Sequence, residues 1–203
     1  MSSIKQIVCS IFLLFLFAFK GDKKLSSSVG KVISNIELRN VDGKLFNINN
    51  IENAKGFIVV FTCNHCPFAK LYPQRFNDLN SKYKVLGVPL IAINSMDSAV
   101  YEDETFALMQ AKCKESNFNF PYLQDVTQAV GKQFGAEHTP HAFIIWKENN
   151  NWIIKYSGAI DDNGEHPELA KPYIAYAVDE LLANKPVSKP ETESFGCRIF
   201  YRK

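Results

Sequence analysis

The sequence lacks a surplus of charge of either sign. Its 203 residues carry 23 Lys and Arg against 21 Asp and Glu. Lys5 and Lys20 precede the first acid, Asp22; beyond them the balance is 21 to 21. Such a chain has no electrostatic footprint for nucleic acid or an anionic membrane surface. It also lacks an internal repeat, and no composition shift is sharp enough to mark a second domain. Histidine and cysteine are scarce, at four and five. Cys63 and Cys66 are closely spaced, but no second cysteine or histidine pair completes a four-ligand zinc site. His138 and His141 stand near each other without a cysteine partner.

What remains is ordinary globular material, 46% hydrophobic and 22% charged, long enough for one domain with a substantial core. The uncharged run Ile7 to Phe19 is shorter than the roughly 20 residues of a spanning helix. It fits the apolar region of a secretory signal. Phe19 and Gly21 occupy the small-residue positions for a cut after Gly21, and Phe19 is not small, so residues 1–21 are expected to be a signal peptide or an N-terminal anchor. Cys9 belongs to this leader. Residues 22–30, with Ser26-Ser27-Ser28, read as a linker. An exported, periplasmic or extracytoplasmic location follows, and any membrane association would run through an uncleaved leader. Outside the cytoplasm disulfides persist, and Cys63, Cys66, Cys113 and Cys197 then permit two bridges.

The domain is expected over residues 31–184. Ile36 to Ile51 alternates around Asp42-Gly43, a hairpin signal. Phe57 to Phe61 is an apolar, β-branched run of strand length, of the kind covered on both faces. A helix is expected from Phe68 to Tyr83 and a buried strand from Val88 to Asn94, which makes one βαβ unit. Further helices are expected over Glu102 to Ser116 and Asp125 to Phe134, the last of these capped by Asp125 or Thr127 and ended by Gly135. Ala142 to Trp146 and Trp152 to Ile160 form a second hairpin, and Pro167 to Ala183 a closing helix. The pattern is α/β: a thioredoxin-like fold with a central mixed sheet flanked by helices and an N-terminal hairpin extension. Residues 185–203 form a tail carrying Cys197.

The chemistry converges on Cys63-Asn64-His65-Cys66-Pro67, where a buried strand hands over to a helix. A thiolate is the nucleophile in disulfide exchange. Placed at the mouth of a helix, Cys63 would gain from the unpaired N–H groups there. Cys66, three residues on, would share its face and close onto it. Cys63 is therefore the expected attacking thiol and Cys66 the resolving one. A protonated His65 would favour the thiolate further. In a fold of this plan Pro140, directly before a strand, would be cis and face the dithiol, with the backbone of Thr139 open to a substrate chain. Cys197 stands between two roles, a third redox cysteine and a bridge to Cys113. Cys113, at a helical apolar position, reads as a small buried hydrophobe.

Phe57 to Pro67, Phe120-Pro121-Tyr122-Leu123-Gln124-Asp125 and His138-Thr139-Pro140 resemble, in order and spacing, the thioredoxin-like redoxin group. That group includes the alkyl hydroperoxide reductase/thiol-specific antioxidant relatives and the exported thiol–disulfide oxidoreductases. The resemblance spans roughly Val29 to Ala183. It implies a thiol–disulfide oxidoreductase whose working group is the Cys63–Cys66 disulfide itself, without a further cofactor or metal. Its partners would be protein thiols or disulfides and a thiol–disulfide electron donor or acceptor. The sequence departs from the group at Thr62, where thioredoxin has tryptophan, and at Asn64-His65, where it has Gly-Pro. The acid that thioredoxin buries on the preceding strand has no counterpart in Phe57 to Phe61, which leaves Asp161 and Asp162 as candidates for a proton relay. The peroxidatic pattern P-x-x-x-T-x-x-C is missing, since Val60 stands three before Cys63. Two alternatives stand beside the exchange reading. One is a thiol-dependent antioxidant peroxidase. The other is a copper-binding module using Cys63 and Cys66 with His138 or His141, because soft thiolates suit Cu(I).

Overall fold

The structure, a computed structural model, describes residues 27–203. The expected leader, Cys9 and most of the linker lie outside the described residues. Among the described residues no helix is long and apolar enough to cross a membrane.

The chain opens with β1 (Val32–Ile33), β2 (Glu37–Asn40) and β3 (Leu45–Asn47). Gly43, at φ 86°, makes the turn between β2 and β3 that Asp42-Gly43 predicts. β4 (Gly56–Phe61) is buried at every residue. Phe57, Val59 and Phe61 join one core cluster and Ile58 and Val60 the other. That is the two-residue period of a strand covered on both faces. Each such side chain contributes about 1.5–3 kcal/mol by leaving water, so this strand anchors everything attached to it. α1 (Pro73–Lys84) and β5 (Leu90–Asn94) complete the βαβ unit. β5 runs parallel to β4, with Val59 opposite Ile91.

α2 (Phe106–Glu115) leads to β6 (Tyr122–Gln124), which lies parallel to β5. α3 (Ala129–Phe134), β7 (His138–Thr139), β8 (His141–Glu148), β9 (Asn151–Gly158), α4 (Tyr173–Leu182) and β10 (Cys197–Arg198) follow. The main sheet has the order β1-β9-β8-β4-β5-β6-β2-β3. Its parallel centre, β4, β5 and β6, is flanked on both edges by antiparallel strands. Phe76 and Tyr83 of α1, Met109 of α2 and Ile174 and Val178 of α4 cover one face; Val130 and Phe134 of α3 cover the other. This is the expected thioredoxin-like sheet with its N-terminal hairpin extension.

The helices are shorter than the sequence pattern predicts. The first does not run from Phe68. A 3₁₀ turn at Ala69–Leu71 comes first, and α1 begins at Pro73. Pro73 has no N–H and its ring crowds the carbonyl four residues back, so a continuous helix across it is unfavourable. The second divides into a 3₁₀ turn at Glu102–Glu104 and α2, because Thr105 adopts an extended conformation and caps α2 through its hydroxyl. The third begins at Ala129, four residues late, yet the Asp125 carboxylate still takes the Gly131 N–H at 2.9 Å. The closing helix is a 3₁₀ turn at Pro167–Leu169 followed by α4 after Pro172. The β8–β9 turn is two residues, Asn149 and Asn150, both at positive φ, the geometry of a tight hairpin that asparagine tolerates.

Candidate active site

The dithiol lies in the loop that leaves β4, ahead of the 3₁₀ turn rather than on a helix. The expected support of Cys63 by a helix mouth is therefore replaced by single donors. Cys63 Sγ lies 3.1 Å from the Thr139 hydroxyl, and Cys66 Sγ donates to the Thr139 carbonyl at 3.0 Å. One residue thus touches both sulfurs. The Thr139–Pro140 peptide bond is cis, as expected. Cys63 is 4% exposed and Cys66 is fully buried.

The two thiols titrate as a pair. Their mutual hydrogen bond splits them: it pushes Cys63 up, with burial adding to the rise, and draws Cys66 down to about 4. Smaller effects follow the neighbours. The Thr139 hydroxyl and the Cys66 N–H favour charge on Cys63, and the Glu104 carboxylate opposes it. The Cys197 thiol and the N–H groups of Ala69 and Cys197 favour charge on Cys66, against its burial. One proton therefore leaves the dithiol easily and the other is held between the sulfurs. The low value belongs to the pair; the tail and the 3₁₀ turn add donors on the Cys66 side of it.

The buried acid that the strand lacks is supplied from elsewhere. Glu104, 1% exposed, accepts the N–H of Asn64 at 3.0 Å, the N–H of His65 at 3.0 Å and the Asn94 amide at 2.5 Å. His65 Nδ1 lies 2.6 Å from the same carboxylate, and its ring stacks on Tyr101. Asn64 straps the loop further, donating to the Asp103 carbonyl and accepting from the Tyr122 hydroxyl. Glu104 fixes the backbone between the two cysteines and orients His65. The sequence showed only three acids, Glu102, Asp103 and Glu104, at the start of an expected helix. Nothing in one chain says which of the three turns inward.

The other expected residues fall in different places. Asp161, 3% exposed, binds Arg75 at 2.5 Å and the Tyr72 hydroxyl at 3.1 Å. Asp162 accepts the Lys171 N–H at 2.7 Å. Neither is among the groups acting on the thiols. His141 is buried, with Nδ1 accepting the Glu137 N–H and Nε2 on Ser157; His138 bonds Ser194. These histidines do not join the dithiol. The potential ligand atoms that gather there are those of Cys63, His65 and Glu104, within 4.8 Å of one another. Their closeness is accounted for by the His65–Glu104 bond. Cys113 packs with the core cluster on one face of the sheet and Cys197 with the other, and both are free thiols, so they are not bridged.

A mixed sheet, a C-x-x-C loop leaving its central strand, and a cis-proline beside both sulfurs define a thioredoxin-like redoxin. The chain belongs to the AhpC/TSA family, whose profile matches residues 29–161. A thiol-disulfide oxidoreductase ResA from Bacillus thuringiensis is 28% identical over 148 residues, covering 71% of this chain and 79% of that protein. The solved structure of an uncharacterized conserved protein from Geobacillus kaustophilus is 31% identical, with TM-score 0.77, covering 86% of this chain and 92% of that one. A hypothetical protein from Sinorhizobium meliloti is 28% identical, with TM-score 0.79, covering 88% and 97%. A peroxidoxin from Mycobacterium tuberculosis shares the fold, at TM-score 0.55 and 16% identity.

Proposed function

We propose that the protein is an exported thiol–disulfide oxidoreductase, in which Cys63 attacks and Cys66 resolves. The observation that carries this is the pair of free thiols held together on the two polar atoms of Thr139, directly before Pro140. Cys63 is the less buried of the two residues, 4% exposed against none for Cys66, so a substrate disulfide meets it first. A proton shift from Cys63 to Cys66 along their hydrogen bond makes the Cys63 thiolate, and the Thr139 carbonyl receives the Cys66 thiol. The thiolate attacks one sulfur of a substrate disulfide. That S–S bond breaks, and the departing thiolate takes a proton. Cys66 then loses its proton and attacks Cys63 Sγ, the mixed disulfide breaks, and the substrate leaves as a dithiol. The protein is left as the Cys63–Cys66 disulfide, to be reduced by an external thiol donor. Run backwards, the same steps oxidise a substrate dithiol.

The leader pattern supports export, and the thiol-disulfide oxidoreductase relatives support protein thiols or disulfides as substrates. The peroxidatic threonine is missing, with Val60 standing three before Cys63, which favours exchange over peroxide reduction. Replacing Cys63 with Ser is expected to lower dithiol-driven reduction of a protein disulfide at least a thousandfold, read as turbidity or fluorescence of the reduced product. Undiminished exchange by that variant contradicts the proposal.

A further inference from the structure

The tail is not free. β10 pairs antiparallel with β7, with Cys197 opposite Thr139 and Arg198 opposite His138. The backbone edge beside the cis-proline is thus already occupied by the chain's own residues. The docking is held beyond β10 as well. Ile199 is buried in the core and donates its N–H to the Glu137 carbonyl at 2.8 Å. The Tyr201 hydroxyl donates to the Ala136 carbonyl, Gln128 bonds both Phe200 and Arg202, and Arg202 pairs with Asp97 at 3.0 Å. On the near side, Gly196 lies so close that a Cβ there would meet the Thr139 carbonyl oxygen at 2.2 Å. Within this strand Thr139 joins the tail to the dithiol: its hydroxyl reaches the Cys197 carbonyl at 3.4 Å and its carbonyl takes the Cys66 thiol at 3.0 Å, and Cys197 lies close enough to help draw Cys66 down. Cys197 itself is only partly buried.

Resting on the exchange reading above, we infer that Cys197 is a third redox-active thiol, held against Cys66 by the paired tail, and that it takes the disulfide over from Cys63. In that step the Cys197 thiol gives its proton to solvent at its open side and the thiolate attacks Cys66 Sγ of the Cys63–Cys66 disulfide. The Cys66–Cys197 bond forms as the Cys63–Cys66 bond breaks. Cys63 departs as a thiolate and is protonated. No electrons are gained or lost: one disulfide replaces another. The step returns Cys63 as a thiol for a second attack and leaves Cys66–Cys197 as the bond that the external thiol donor must reduce. The docked tail also shields the β7 edge from substrate chains, so a substrate must displace β10 to pair there.

The test is stoichiometric oxidation of the full reduced chain with one equivalent of diamide, followed by acid quench, alkylation and peptide mapping. Wild type is expected to hold Cys66–Cys197 alongside Cys63–Cys66. Cys63→Ser is expected to give an intramolecular Cys66–Cys197 bond at a rate independent of protein concentration. Gly196→Ala, which lifts the tail from Thr139, should cut the yield of that bond at least tenfold with the far-ultraviolet spectrum unchanged. The inference is overturned if wild type shows only Cys63–Cys66 and Cys63→Ser shows no Cys66–Cys197 link. Cys197→Ser separates the two levels. If wild type and Cys197→Ser turn over protein disulfides equally and no Cys66–Cys197 bond forms, the relay fails and the dithiol reading stands. If wild type itself catalyses no exchange, it is the dithiol reading that fails.

Discussion

Glu104 and Asp161 are both buried carboxylates, at 1% and 3% exposure, and they serve opposite ends. Asp161 is matched by a cation, Arg75, whose guanidinium also reaches the carbonyls of Asn163 and Gly164 and lies over the Tyr72 ring. It clamps the loop after β9 onto α1. Glu104 is matched mainly by N–H groups of the dithiol loop and by His65. A carboxylate facing Arg and Tyr side chains is a structural joint. One that collects backbone donors from an active loop sets the geometry and the field of that loop. Sequence position does not separate the two; their donors do.

The comparison breaks most visibly in stability. Asp161→Asn leaves the Arg75 guanidinium without its counter-charge and is expected to cost about 3 kcal/mol. Exchange per folded molecule should stay within twofold of wild type. Denaturant melts read the first and initial rates the second. A large fall in rate at full folding would move Asp161 into the site. Glu104→Gln is expected to cost less, about 1–2 kcal/mol for weakened hydrogen bonds to a formerly charged acceptor. Its mark is on the thiols. The carboxylate raises Cys63, so its neutralisation should shift the pH midpoint of thiol alkylation downward. The same midpoint in Asp161→Asn should not move. If both variants leave it in place, the contrast between the two acids is lost.

A buried histidine gives the smallest expected effect. Burial, and secondarily the charge of His138, lowers the His141 pKa to about 3. Below an ordinary pKa of about 6.5 the unfolded chain binds a proton that the folded chain refuses, so stability falls as pH drops through the window from about 6.5 toward 3. Between pH 7 and 5.5 the loss from this group is about 1 kcal/mol. The difference in unfolding free energy across that interval should shrink by that amount in His141→Gln. An unchanged pH dependence would show that His141 accepts a proton without unfolding.

Much of this architecture was legible in the chain. β4 and β5 show as uninterrupted apolar runs because both their faces are covered. Asp42-Gly43 and the asparagines before Asn151 show as turns because few other residues accept those dihedrals. Thr139-Pro140 was legible from its place before a strand. The helix starts were not, because Pro73, Thr105 and Pro172 each set a boundary inside an unbroken hydrophobic pattern. β1, β7 and β10 are two residues each, too short for any periodicity. Glu104 and the docked tail were hidden for another reason: both act across long sequence separations, 40 residues from Asn64 and 58 from Thr139 to Cys197. Local spacing carries no trace of such a contact. The two cysteines stand at a local spacing that the chain displays, and the fold brings them to the expected proline.

The most direct measurement of the central claim, attack by Cys63, is trapping with Cys66→Ser. Without the resolving thiol, a reaction with a protein disulfide should stop at the mixed disulfide. Peptide mapping by mass spectrometry is expected to place the substrate on Cys63, at close to one per chain. A substrate found on Cys113 or Cys197, with Cys63 unmodified, would contradict the account.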